Sequence, residues 1–247
     1  MSPSALPAAE LSNLPKSDGS ATFSYQGYTV TTAVNGPVEA QRRDEHAFEA
    51  LVDVNVRPAA GVGGTAERQL ESILQSALRQ LIPVRNFPRC MIQVTLQIVG
   101  TPENAYENSK ITQPQMNLTI IPALLHTSIL GLLTAAIPLK TIATATVLAI
   151  PSESDQIVVD PSAVQAAKAK SLHVVGFTSG EDLLLSESEG AFTPEEWAKI
   201  LETGERICCQ SAGEDVAMEG GETEGTSIRD FIRSVMETKI AKDLQWK

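Results

Sequence analysis

The chain has 247 residues, 43% of them hydrophobic, which is enough to bury a substantial core and argues against a disordered protein. Its net charge of −11 argues against a protein that coats nucleic acid over its whole surface. Three cysteines, none in a C-x-x-C pair, argue against a cysteine-held metal or a disulfide framework and point to a reducing compartment.

Residues 1–13 are small, polar and proline-containing, and read as a flexible tail with no signal-peptide pattern. A polar turn at Asp18, a short strand, a Gln26-Gly27 turn and an alternating strand over 28–34 follow, with Gly36-Pro37 as the stop. A second alternating strand covers 50–56. After a turn over 61–64, Thr65 is placed to cap a helix whose stripe is Leu70, Ile73, Leu74, Ala77, Leu78 and Leu81, ended by Pro83. Residues 91–99 alternate again as a strand. Beyond a polar stretch over 100–110, the apolar run over 118–139 is interrupted by Pro122, His126, Thr127, Ser128 and Thr134, so it reads as a buried core helix and not a membrane span. Strands are expected at 142–150, 156–159, 168–177 and 182–185. Thr193-Pro194-Glu195-Glu196 is a capping box that opens a helix faced by Trp197, Ile200, Leu201 and Ile207. An acidic, glycine-rich inserted loop over 211–226 precedes a C-terminal helix over 227–242. The order is that of an α+β fold.

Several ordered pieces carry a resemblance. DGSATFSYQGYTVTTAVNGPVE at 18–39, VNVRPAAGVG at 54–63, SALRQLI at 76–82, PRCMIQVTLQIV at 88–99 and IVVDPSAVQ at 157–165 together resemble the RNase PH-like family over about residues 18–210. The resemblance implies the RNase PH-like fold (ribosomal protein S5 domain 2-like) over residues 14–247. The VRPAAGVG and VVDPSA pieces resemble the branch that builds the ring of the eukaryotic exosome. There, six RNase PH-like chains form three heterodimers beneath RNA-binding cap subunits. The resemblance therefore implies other ring subunits, cap subunits and RNA as partners, no membrane, and a place in the nucleus and nucleolus and also the cytoplasm.

Active members of the family carry a Gly-Thr-Arg triplet ahead of the central helix of the second half, where the arginine and the helix end hold the attacking phosphate. The matching stretch here, 111–116, is Ile-Thr-Gln-Pro-Gln-Met, and no arginine occurs from Cys90 to Ile200; Lys110 and Lys140 do not reproduce the guanidinium fork. The family also carries acids that position metal and the leaving oxygen. Asp160 matches the strand-ending aspartate as a vestigial site position. The acids that should follow fall at Ser162, Gln165 or Ala166, and at Ser171, and residues 161–176 contain no acid at all. The expectation is a non-catalytic ring subunit with no metal and no cofactor, the alternative being an active phosphorolytic 3′–5′ exoribonuclease.

Seven of the ten arginines lie between Arg42 and Arg89, where no lysine and six carboxylates accompany them. Residues 181–224 hold thirteen carboxylates against Lys199 and Arg206. RNA contact is therefore expected on the arginine-bearing half, with Arg42, Arg43, Arg79, Arg85 and Arg89 as candidates and Arg85 and Arg89 flanking Phe87 as a possible stacking ring. Asp155 with Asp160 reads as turn residues around a strand, His46 as a surface residue, and His126 and His173 as packed histidines. The glycines over 61–64 form a turn, since the lysine of a phosphate-cradling loop is missing.

Overall fold

The computed structural model describes residues 6–102, 118–152, 156–209 and 227–245. A first sheet runs in the order β1-β2-β3-β5-β4, from β1 (Ala8–Leu11), β2 (Gly19–Tyr25), β3 (Tyr28–Glu39), β4 (Leu51–Arg57) and β5 (Cys90–Gly100). Its pairs are antiparallel except β4 with β5, which are parallel and joined through helix α1 (Thr65–Leu81). A second, antiparallel sheet runs β7-β6-β8-β9, from β6 (Ala143–Pro151), β7 (Val158–Val159), β8 (Ala169–Thr178) and β9 (Leu183–Gly190). The other helices among the described residues are α2 (Ile121–Thr134), α3 (Ala163–Lys168), α4 (Pro194–Cys209) and α5 (Ile228–Asp243).

Helix α2 is buried around its whole circumference from Ile121 to Leu132, because it packs on β2 and β3 of one sheet and on β6 of the other. A helix apolar on all sides can be stable only in such a position. No helix among the described residues is long and apolar enough to cross a membrane. Helix α1 buries Leu70, Leu74, Ala77, Leu78 and Leu81 against β4 and α2. It also covers the open edge of β4: Glu71 accepts from the Val56 N–H at 2.9 Å and Gln75 donates to the Val52 carbonyl at 2.7 Å. Backbone groups that would otherwise invite another strand are thereby occupied. On the far side of the second sheet, α4 places Ile200 and Cys208 against Leu148, Ile150, Val175 and Phe177.

The Asp18–Ala21 motif has a physical reason at each position. The Asp18 carboxylate accepts from the Gly36 N–H at 2.8 Å, tying the start of β2 to the far part of β3. Gly19 lets α2 approach its backbone: a Cβ there would overlap the Ala135 nitrogen and sit 2.5 Å from the Gly131 carbonyl oxygen. Ser20 accepts from the Leu14 N–H, and Ala21 is wholly buried in the core. Gly36, at φ +133°, is the second required glycine, since a Cβ there would come within 2.7 Å of the Met91 carbonyl oxygen.

Residues Ala8–Leu11 of the expected tail form β1, paired with β2. Gly36-Pro37 does not stop the strand; an irregularity between Asn35 and Val38 absorbs the proline and β3 continues to Glu39. Gly64, not Thr65, is the cap of α1, its N–H donating to Glu67 at 2.6 Å. The strand expected from Lys168 begins at Ala169, after the short helix α3, and the strand expected to end at Leu185 runs to Gly190. The capping box at Thr193 forms, with Glu196 accepting from the Thr193 N–H at 2.7 Å. The acidic stretch over 211–226 lies outside the described residues.

Candidate functional site

Asp160 closes β7 at φ +50°, a left-handed conformation that aspartate tolerates better than most side chains. Its backbone N–H continues the ladder to the Val147 carbonyl at 2.8 Å. Its carboxylate then takes the place of further backbone: Oδ1 accepts from the Val147 N–H at 3.4 Å and from the Thr146 hydroxyl at 3.2 Å, and Oδ2 accepts from the Tyr25 hydroxyl at 2.9 Å. Burial pushes the Asp160 carboxyl above the usual carboxylate range, with hydrogen bonds from Tyr25, Val147, Thr146 and Gln26 pulling the other way. Burial first, and the adjacent carboxylate second, raise the Tyr25 phenol above its ordinary value, so it stays a donor. Tyr25 sits at the end of β2, so this hydrogen bond joins the two sheets. Nothing in the residues around Tyr25 announced a partner 135 positions away.

The positions where the family would carry further acids serve other ends. Ser162 and Gln165 cap α3 on each other, Gln165 Oε1 accepting from the Ser162 N–H at 2.9 Å, and Ala166 is buried. Ser171 is 2% exposed and pairs with Ile150, so β6 lies between it and the β7 edge that carries Asp160. Its hydroxyl is 2.9 Å from His173 Nε2, and Ser188 lies 2.9 Å from Nδ1. Phe192 and Trp197 cover the same imidazole, with ring centroids at 4.8 and 5.6 Å. Burial lowers His173 to about 4, so the ring is neutral at physiological pH. His126 is also a packed residue: its Nε2 accepts from the Ala145 N–H at 3.0 Å, its ring meets Phe23 edge-on, and burial lowers it to about 3.

The stretch 111–116 and Asp155 lie outside the described residues. At the beginning of α2, a cavity of about 180 Å³ is lined by Leu118 and Ile121 together with Glu187, Ser188 and Glu189 of β9. Burial raises the Glu189 carboxyl. Two carboxylates at this end of the helix oppose the binding of a dianion. Among the described residues, no group of three His, Cys, Asp or Glu side chains is placed to hold a metal ion.

Four of the five candidate arginines occupy two adjoining loops. Arg42 and Arg43 are exposed in a turn after β3, closed by the Asp44 N–H on the Gln41 carbonyl. Arg85 is exposed in the short helical turn Val84–Asn86, and Arg89 is exposed at φ +62° with Glu45 3.2 Å away. Arg79, in the last turn of α1, pairs with Glu49. Backbone bonds join the loops, with the Arg89 N–H on the His46 carbonyl and the Ala40 N–H on the Arg89 carbonyl, both at 3.1 Å. His46, Arg79, Arg85 and Lys140 line one open groove of about 880 Å³ beside the start of β4. Phe87 is half-buried against the core and does not present a free ring. The exposed aromatic of this region is Phe48, which the sequence reading passed over because it lies outside any periodic segment.

Two sheets joined by a wholly buried helix, with a strand-ending aspartate at their junction, match the two domains of the 3′ exoribonuclease family. The model for domain 1 of that family matches residues 8–138 and the model for domain 2 matches residues 141–207, and the chain belongs to this RNase PH-like family. It is similar to exosome complex component RRP46 of Saccharomyces cerevisiae, at 31% identity over 206 residues, covering 81% of this chain and 89% of that protein. It is 29% identical to exosome complex component rrp46 of Schizosaccharomyces pombe, covering 77% of this chain and 79% of the relative. Among solved structures, rice (Oryza sativa) Rrp46 superposes with a TM-score of 0.69 at 23% identity, covering 79% of this chain and 85% of that one. An Archaeoglobus fulgidus exosome with RNA bound to the active site gives 0.64 at 12% identity, covering 81% and 84%. These two likenesses concern the fold.

Proposed function

We propose that this chain is a structural subunit of an exosome-type ring. It supports 3′–5′ RNA processing and degradation without carrying out phosphorolysis itself. The observation that carries the reading is the state of the vestigial site. The Asp160 carboxylate accepts from Tyr25, Thr146 and Val147, and the position expected to carry the partner acid is Ser171, buried on β8 and separated from Asp160 by β6. No arginine stands in the family's phosphate-holding stretch, and Glu187 and Glu189 line the cavity beside Leu118 and Ile121 at the beginning of α2. The similarity to RRP46 proteins, which are exosome complex components, supports membership of an exosome complex. Unlike RNase PH-like chains as neighbours and a nuclear, nucleolar and cytoplasmic place belong to the same proposal. RNA contact falls to the joined loops that carry Arg42, Arg43, Arg85 and Arg89, with Arg79 and Lys140 in the adjoining groove.

The test is co-purification of the tagged full-length chain, its partners identified by mass. Other RNase PH-like and cap subunits are expected in equal amounts; a stable monomer that ignores them would refute ring membership. Arg42→Glu with Arg43→Glu should leave assembly intact, weaken RNA protection by the ring and flatten its salt dependence, since each lost phosphate contact on a single strand removes about 0.7 from the log–log slope. Unchanged protection across a salt series would take this pair off the RNA path.

A further inference from the structure

Phe48 is 86% exposed, although the loop that carries it, residues 41–49, is braced on both sides. The Arg89 N–H holds the His46 carbonyl, the Arg89 side chain reaches Glu45, Glu49 pairs with Arg79, and the Ala50 N–H donates to the Val84 carbonyl at 2.8 Å. A large ring carried by such a loop forgoes about 2 kcal/mol of burial that the chain could recover by folding it inward. A single exposed apolar residue is ordinary on any surface. This one differs in its surroundings, since Arg42 and Arg43 share its loop while Arg85 and Arg89 lie in the loop bonded to it. All four arginines are exposed, as is Asp44 in the same turn as Arg42 and Arg43, and Arg89 pairs with Glu45.

An aromatic face among cations is the chemistry of a single-stranded nucleic-acid contact, in which the ring stacks on a base and the guanidinium groups hold the flanking phosphates. We infer that Phe48 is the base-stacking residue of this surface and that it takes an unpaired base of single-stranded RNA. The inference rests on the RNA-contacting role proposed above and adds to it a contact that salt does not screen. A neighbouring ring subunit seated on Phe48 is the competing occupant. Four exposed arginines on its loop and the loop bonded to it, against the exposed carboxylates of Asp44 and Glu45, favour the polyanion.

The experiment uses the full-length chain in its co-purified ring, with fluorescein-labelled oligo(U) and binding followed by anisotropy across a salt series. Phe48→Ala is expected to weaken binding about 5- to 100-fold with the salt slope unchanged, and Phe48→Trp to restore it. Replacing the probe with 5-iodouridine RNA should give a photo-crosslink that maps to Phe48. Arg42→Glu with Arg43→Glu should instead lower the slope. Binding that survives Phe48→Ala but is lost with the arginines overturns the stacking role and leaves the RNA reading standing. Binding that survives both overturns that reading as well. A Phe48→Ala chain that no longer enters the ring shows a subunit contact and overturns the inference in favour of the neighbour.

Discussion

Asp160→Ala is expected to lower the unfolding free energy of the full-length chain by about 4 kcal/mol, read as a fall in urea midpoint at unchanged slope. The change strands three donors that the carboxylate satisfies: the Tyr25 hydroxyl, the Thr146 hydroxyl and the Val147 N–H. It also puts alanine at φ +50°, adding about 1 kcal/mol of backbone cost. Asp160→Asn keeps a side chain suited to that conformation and an oxygen for Val147, so its loss should be smaller, about 1–2 kcal/mol. Tyr25→Phe should lose about 1 kcal/mol, and less on the Asp160→Asn background, because the two changes remove the same hydrogen bond. This ordering separates a residue that joins two sheets from one kept for chemistry. Equal stability of Asp160→Ala and the parent would contradict the structural role.

Gly19→Ala is expected to cost about 3 kcal/mol, at the upper end of what one added methyl group does in a packed core. The clash is with backbone, the Ala135 nitrogen and the Gly131 carbonyl oxygen, and a side-chain rotamer change cannot relieve it. Either α2 moves off β2 or the last turn of the helix opens. The control is Gly61→Ala: φ there is +85° but a Cβ would meet nothing within 4 Å, so only the backbone cost of about 1 kcal/mol should appear. Comparable effects of the two changes would show that the close approach of β2 and α2 does not matter.

What could be read in the sequence followed from period and local chemistry. The hairpin over β2 and β3, the stripe of α1 and the Thr193 box each depend on residues a few positions apart, and each forms. Helix α2 was legible from its apolarity alone. What was missed has physical reasons. Strand β1 is four residues, Ala8–Leu11, whose strand character comes from pairing with β2 rather than from its composition. Strand β9 extends to Gly190 through Glu187 and Glu189, which are poor strand formers held there by the ladder to β8. Helix α3 carries a Ser-x-x-Gln capping box at Ser162 and Gln165, a signal that was present and not used. In the site, the absence of an arginine over 111–116 and of acids over 161–176 could be read directly. That Asp160 is bound to Tyr25 could not, since the pair is joined only by the packing of two sheets. Phe87 appeared free between two arginines until its burial against the core was seen.

An assay for phosphorolysis tests the non-catalytic role of this chain most directly. The purified full-length chain, alone and in its co-purified ring, is incubated with labelled single-stranded RNA, magnesium and inorganic phosphate, and nucleoside diphosphates are resolved from monophosphates. No diphosphate is expected from the chain alone and none from the ring attributable to it, whatever the phosphate concentration. Diphosphate release that rises with phosphate and follows the pure chain through gel filtration would contradict that role.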